Sequence, residues 1–160
     1  MPSSHRRCLL LIVAIILLSH LRHVCATSIN DTALAEQAEP RRKHGWFYYR
    51  FNAGESPADC FDRTSSFLET LSRQLERKEA ERALVVSHGL TIRCFVMRFL
   101  HLTIEDFEVM LNPHNCDIVT LSLADEADPA DGEVVFHAGR WVVQGLVLAP
   151  HSHQRYRRHH

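Results

Sequence analysis

Glycine and proline are scarce in this chain, six of each in 160 residues, which excludes a collagen-like repeat and a Pro/Gly-rich low-complexity polymer. A surplus of either charge is also lacking. With 18 Lys+Arg against 19 Asp+Glu the formal charge is -1, so nothing in the composition draws the chain to a polyanion, and nucleic acid is not an expected partner. The five cysteines (Cys8, Cys25, Cys60, Cys94, Cys116) contain no C-x-x-C pair, which argues against a disulfide scaffold and a zinc knuckle. His101, His114 and His137 have no ligand spacing, so no metal is expected. No apolar run approaches the roughly 20 residues of a transmembrane helix. The longest, Cys8 to Leu18, has eleven. What is present, 46% hydrophobic and 23% charged residues, is the balance of one ordinary globular domain.

His5, Arg6 and Arg7 precede the apolar run, and the polar stretch Ser19 to His23 separates it from Val24-Cys25-Ala26. A charged start, a short apolar stretch and a small-residue site ending at Ala26 read residues 1–26 as a secretory signal lying outside the fold. Asn30-Asp31-Thr32 then offers an N-glycosylation acceptor, and any membrane contact is confined to residues 8–18. Residues 27–44, with Pro40 and Arg41-Arg42-Lys43, read as a polar linker. At the other end, residues 149–160 form a basic tail holding His151, His153, His159 and His160, with a solvated, disordered end as the default reading.

Between these ends, residues 45–148 carry the periodicities of a domain. Ser56 is placed to cap a helix, Pro57 suits its first position and Asp59 completes a capping box, so a helix is predicted from Pro57 to about Glu79. Phe61, Ser65, Leu68, Leu71 and Leu75 form its inward stripe. Ala83-Leu84-Val85-Val86-Ser87 is a continuous apolar run, predicting a strand buried on both faces. Leu90 to Leu100 resumes helical spacing, and Thr103 to Asp106 caps a short helix running to about Leu111. Asp117 to Leu123 alternates as a strand, and Glu133 to His137 with Arg140 to Gln144 predicts a hairpin about Ala138-Gly139. Helix, strand, helix, strand is an α/β layout.

In such a layout ligands collect at the carboxyl ends of strands, and Ser87-His88-Gly89 delivers a histidine directly into a helix start. Gly89 leaves the backbone open, and the free N–H groups of the next turn favour an anion such as phosphate. An imidazole there can stabilise phosphoryl oxygens or exchange a proton near neutral pH. A purely structural histidine in a strand-to-helix turn is the alternative. The second constellation is Phe47-Tyr48-Tyr49-Arg50-Phe51 followed by Gly54-Glu55-Ser56. Arg50 can fork onto a phosphate or carboxylate, and Glu55 lies just before a helix N-terminus. The bland reading of that stretch is packing aromatics, a surface cation and a carboxylate complementing the helix dipole.

Taken together, W-F-Y-Y-R-F-N-A-G-E-S-P-A-D-C-F-D-R-T, A-L-V-V-S-H-G-L-T-I-R-C-F-V-M-R-F and F-E-V-M-L-N-P-H-N-C-D-I-V resemble the C-terminal half of the histidine phosphatase superfamily, the phosphoglycerate mutase-like enzymes. The resemblance spans about residues 41–124. It implies a three-layer α/β fold and action on, or binding of, phosphorylated small molecules or inorganic phosphate, with no cofactor and no metal. It makes His88 the second active-site histidine, contacting the phosphoryl group. Arg50 falls on the substrate-facing loop, Glu55 at the pocket edge, Gly89 where backbone approaches phosphate, and Asn115 in a supporting role. It also implies a cytoplasmic address as the alternative to secretion. The family's opening strand ending in R-H-G, which carries the nucleophile, has no counterpart here. Lys43-His44-Gly45 imitates it but follows a polar linker and falls just ahead of the aromatic stretch. The expectations are therefore an incomplete fold with an uncovered strand edge beside Ala83–Ser87, and a truncated protein weakly active or inactive alone. The alternative is a catalytically silent remnant that binds phosphate or docks on a partner.

Overall fold

The computed structural model describes residues 8–13, 38–50, 54–78 and 82–150. In chain order these form β1 (Cys8–Val13), α1 (Ala38–His44), α2 (Pro57–Lys78), β2 (Arg82–Ser87), α3 (Gly89–Phe99), α4 (Ile104–Val109), β3 (Ile118–Leu123), β4 (Val134–Ala138) and β5 (Trp141–Gln144). The strands make one mixed sheet in the order β2-β1-β3-β5-β4.

Its second strand is the segment expected to lie outside the fold. Cys8–Val13 runs parallel to β2, pairing Leu10 with Leu84 and Val13 with Ser87, and antiparallel to β3, pairing Leu10 with Thr120. The strand edge expected to stand open beside β2 is therefore occupied. The physical reason for the misreading is that a continuous apolar run has no period of its own. It fits a strand flanked on both sides as well as the apolar stretch of a signal. The proposed cleavage site, the Asn30 acceptor, Phe51 and the basic tail from residue 151 all lie outside the described residues.

Two other expectations are corrected. The last seven residues of the supposed linker form α1, whose Glu39 pairs with Arg42 at 2.8 Å and whose final turn gathers Arg41, Arg42, Lys43 and His44 at the negative end of the helix dipole. β2 is not buried on both faces. Among the described residues its far side has no strand neighbour, and Leu84 and Val86 stay exposed while Ala83 and Val85 pack inward.

The helix starts follow the capping chemistry read from the sequence. Ser56 Oγ accepts the Asp59 amide at 3.2 Å while Asp59 Oδ2 accepts the Ser56 amide at 2.8 Å. Thr103 and Asp106 repeat the exchange at 3.2 and 2.8 Å. α2 and α3 pack together through Phe61, Leu68 and Leu71 on one side and Ile92, Phe95 and Val96 on the other. Each fully buried aliphatic or aromatic side chain of this kind is worth about 1.5–3 kcal/mol. β3 is covered on both faces, Val119 and Leu121 on one and Thr120 and Ser122 on the other, as a central strand of a layered α/β domain must be. The hairpin expected about Ala138-Gly139 forms, with its turn one residue later, at Gly139-Arg140.

Candidate functional site

The parallel pair β1–β2 ends together, at Val13 and Ser87. From there the chain turns through His88 into α3. His88 is extended (φ -94, ψ 156) and occupies the N-cap position, and its side chain does not cap the helix. Its carbonyl takes the Ile92 amide at 2.9 Å. The amides of Gly89, Leu90 and Thr91 come before the first intrahelical bond, so they point out of an eleven-residue helix with its dipole behind them. His88, Gly89, Leu90 and Thr91 are half-buried, which leaves a small ligand room to reach them. This arrangement attracts an anion.

The roof of the junction is the 111–117 loop. A Cβ on Gly89 would meet Asn112 Cβ at 3.2 Å and Pro113 Cδ at 3.5 Å, so glycine here admits that loop against the helix start. Arg93, one turn into α3, fixes the loop from below. Its Nη1 donates to Asn112 Oδ1 at 3.0 Å, its Nη2 donates to the Phe107 carbonyl at 2.7 Å, and its guanidinium lies 4.1 Å from the Phe107 ring centre. Burial lowers the Arg93 pKa to about 10, which still leaves it cationic at neutral pH. Neither Arg93 nor Asn112 was assigned a role from the sequence. The only signal was a cation set among Ile92, Cys94 and Phe95. Asn115, which was assigned one, sits in the exposed turn of the same loop, where the His114 amide donates to Asp117 Oδ2 at 2.7 Å.

Arg50 and Glu55 are held at the start of α2. Arg50 Nη2 donates to Asp59 Oδ1 at 2.6 Å, and Arg63 Nη2 donates to Glu55 Oε2 at 2.6 Å. The Ser56 hydroxyl and amide hold the Asp59 carboxyl below its usual pKa range, with Arg50 adding to the effect. Both ion pairs are well exposed, so each is worth about 0–1 kcal/mol and an arriving anion can compete for the guanidinium. The start of α2 is tied to the rest of the fold by the Ala58 amide, which donates to the Phe47 carbonyl at 3.1 Å, and by Phe47 packing edge-on to Phe107. His44 closes α1, its ring Nδ1 within 2.8 Å of the Pro40 carbonyl. His88 and Gly89 thus share the junction, while Arg50 and Glu55 each stand in an ion pair at the start of α2 and Asn115 lies in the exposed turn.

Beside the junction a cavity of about 280 Å³ opens between α2 and the exposed side of β2, with Ser87 and Thr91 in its wall. Among the described residues, no three His, Cys, Asp or Glu side chains converge as a metal would require, and no helix is long and apolar enough to cross a membrane.

Residues 15–130 match the family described as the histidine phosphatase superfamily (branch 1). Among curated proteins the chain is similar to phosphoglycerate mutase-like protein AT74 of Arabidopsis thaliana, 41% identical over 95 residues that cover 55% of this chain and 30% of that protein. It is 37% identical over 105 residues to phosphoglycerate mutase-like protein AT74H of the same plant, covering 61% and 36%. It is also 35% identical over 95 residues to the broad-range acid phosphatase DET1 of Saccharomyces cerevisiae, covering 57% and 28%. The chain therefore spans about a third of the length of these relatives. No solved structure matches it.

Proposed function

The chain belongs to the histidine phosphatase superfamily, and from that membership we propose that the β2–α3 junction receives the phosphoryl group of a small phosphorylated molecule, or inorganic phosphate. One observation carries this reading. His88 stands at the mouth of a helix whose first amides its own side chain leaves uncapped, at the carboxyl end of a parallel strand. In the bound state the amides of Gly89 to Thr91 donate hydrogen bonds to phosphoryl oxygens, and the His88 imidazole adds a further hydrogen bond. Arg50, released from Asp59, supplies a planar fork to the same group. Glu55 limits the pocket edge, and Asn115 supports the loop that roofs it. No metal or cofactor is required by this chemistry.

Turnover is a separate matter. Hydrolysis of a phosphate monoester demands an acceleration of up to about 10²¹-fold. A single positioned acid or base contributes typically about 10² to 10⁴-fold. Covalent transfer needs a nucleophile in line with phosphorus, and His88 is the one histidine among the described residues that joins a parallel strand to a helix. We therefore read these 160 residues as a phosphate binder with weak or no hydrolysis of their own. The whole protein's substrate and activity are part of the same proposal. A cytoplasmic address belongs to that proposal as well, and the place of β1 in the sheet supports retention of residues 1–26, since their removal would take out the second strand. Calorimetric titration of the full chain with orthovanadate tests the site. We expect saturable binding that His88→Ala abolishes or weakens at least about tenfold, the loss of one charge-assisted hydrogen bond. Equal binding by the two proteins would overturn it.

A further inference from the structure

Cys60 on α2 and Cys94 on α3 have no part in the phosphate site, yet the packing brings them together. Cys60 Sγ lies 3.7 Å from Thr91 Oγ1, on the turn before Cys94, and Cys94 Sγ lies 3.6 Å from the Pro57 carbonyl, on the turn before Cys60. These crossed contacts place the two sulfurs on the same seam between the helices. Both residues are buried, but their surroundings differ. Cys60 forms part of the wall of the 280 Å³ cavity, together with Arg63, Thr64, Phe67 and Thr91. Exposed Arg63 and Phe67 border that cavity, so a small solute can enter it from the surface. Cys94 is absent from the cavity wall and sits behind Cys60.

The electrostatics of the pair follow the same division. The neighbouring Cys94 thiol pulls the Cys60 thiol well below the ordinary thiol range, and the Thr91 hydroxyl, the Arg63 cation and the Thr64 hydroxyl act in the same direction. Cys94 moves upward, because the Cys60 thiol beside it and its own burial both disfavour a second thiolate. A thiolate that a solute can reach, backed by a protonated thiol, is the arrangement of an attacking and a resolving cysteine.

We propose that Cys60 and Cys94 are a peroxide-reactive dithiol, with Cys60 the sulfur that meets the peroxide and Cys94 the one that closes the disulfide. In the first step the Cys60 thiolate attacks one oxygen of hydrogen peroxide. The S–O bond forms as the O–O bond breaks, hydroxide leaves, and Cys60 becomes a sulfenic acid, oxidised by two electrons while the peroxide is reduced. In the second step the Cys94 sulfur attacks the Cys60 sulfur. The S–S bond forms, the S–O bond breaks, and the hydroxyl departs with the Cys94 proton as water. The product staples α2 to α3 directly behind the helix start that carries His88.

The test uses the full chain treated with hydrogen peroxide near neutral pH, blocked with iodoacetamide and mapped by peptide mass spectrometry. We expect a peptide linking Cys60 to Cys94. With dimedone present in the Cys94→Ser protein, Cys60 should be trapped as the sulfenic acid roughly tenfold ahead of Cys116, the exposed cysteine that serves as the internal reference. Wild-type linkage needs no variant, so a failure of Cys94→Ser to fold leaves the test intact. Linkage of Cys60 to any other cysteine overturns the proposal. So does oxidation confined to Cys116, or recovery of Cys60 and Cys94 as separately alkylated peptides.

Discussion

Replacing Arg93 by methionine should loosen the roof of the junction and destabilise the fold together. The guanidinium makes two charge-assisted hydrogen bonds, to Asn112 and to the Phe107 carbonyl, each worth about 1.5–3 kcal/mol when intact. It also lies over the Phe107 ring, a contact worth about 0.5–2 kcal/mol. Against these stands the cost of burying the charge, visible in a pKa lowered to about 10. Methionine relieves that cost and keeps the ring contact through sulfur, but it forfeits both hydrogen bonds and leaves the Phe107 carbonyl with the Met110 amide alone, at 3.3 Å. We expect a net loss of about 2 kcal/mol, which for a urea slope of about 1–3 kcal/mol/M lowers the midpoint by roughly 1 M with the slope unchanged. Fluorescence of Trp46 and Trp141 follows the transition. The same variant should bind vanadate more weakly, because Asn112 is no longer held against Gly89. An Arg93→Met protein at least as stable as the wild type would refute the reasoning, since it would mean that desolvation outweighs both hydrogen bonds.

Asp59→Ala should cost about 1 kcal/mol through loss of the capping box, and it should flatten the acid limb of stability. Because the folded pKa of Asp59 is lowered, its contribution is complete above the unfolded value of 3.8 and is lost as pH falls through the folded one, so the variant's deficit should shrink in acid. The full chain should hydrolyse p-nitrophenyl phosphate no faster than its His88→Ala variant, and no acid-labile phosphohistidine should appear at His44. Turnover that survives His44→Ala but vanishes with His88→Ala would make His88 the nucleophile of a rearranged site. Expressed in eukaryotic cells, the chain should keep residues 1–26 and carry no glycan at Asn30; N-terminal sequencing that begins after Ala26 would show instead that the apolar run is spent as a signal.

The parts of the fold that were legible in advance are those written locally. Ser56 with Asp59, and Thr103 with Asp106, announce helix starts because the partners that satisfy the free amides lie three residues apart. The hairpin about Gly139 is equally local. β1 was not legible, because whether Cys8–Val13 becomes a strand depends on β2 and β3, which lie far along the chain. The exposure of Leu84 and Val86 escaped for the same reason: a short apolar run does not say whether both of its flanks will be covered. At the site, His88 and Gly89 could be found because a strand-to-helix turn is contiguous in sequence. Asn112 roofs Gly89, and Arg93 holds Asn112, only through contacts that the fold creates. Arg50 gave no sign of its partner, since Asp59 already had a complete role as a capping residue.

The most direct measurement of the central claim is an NMR titration of the full chain with inorganic phosphate, following backbone amide shifts and the imidazole of His88. Binding at the β2–α3 junction predicts that Gly89, Leu90 and Thr91 move first, with Asn112 following as the roof adjusts, and that His88→Ala removes the response. Shifts confined to residues 151–160, with Gly89 and Leu90 unmoved, would contradict it and leave Ser87-His88-Gly89 as a structural turn.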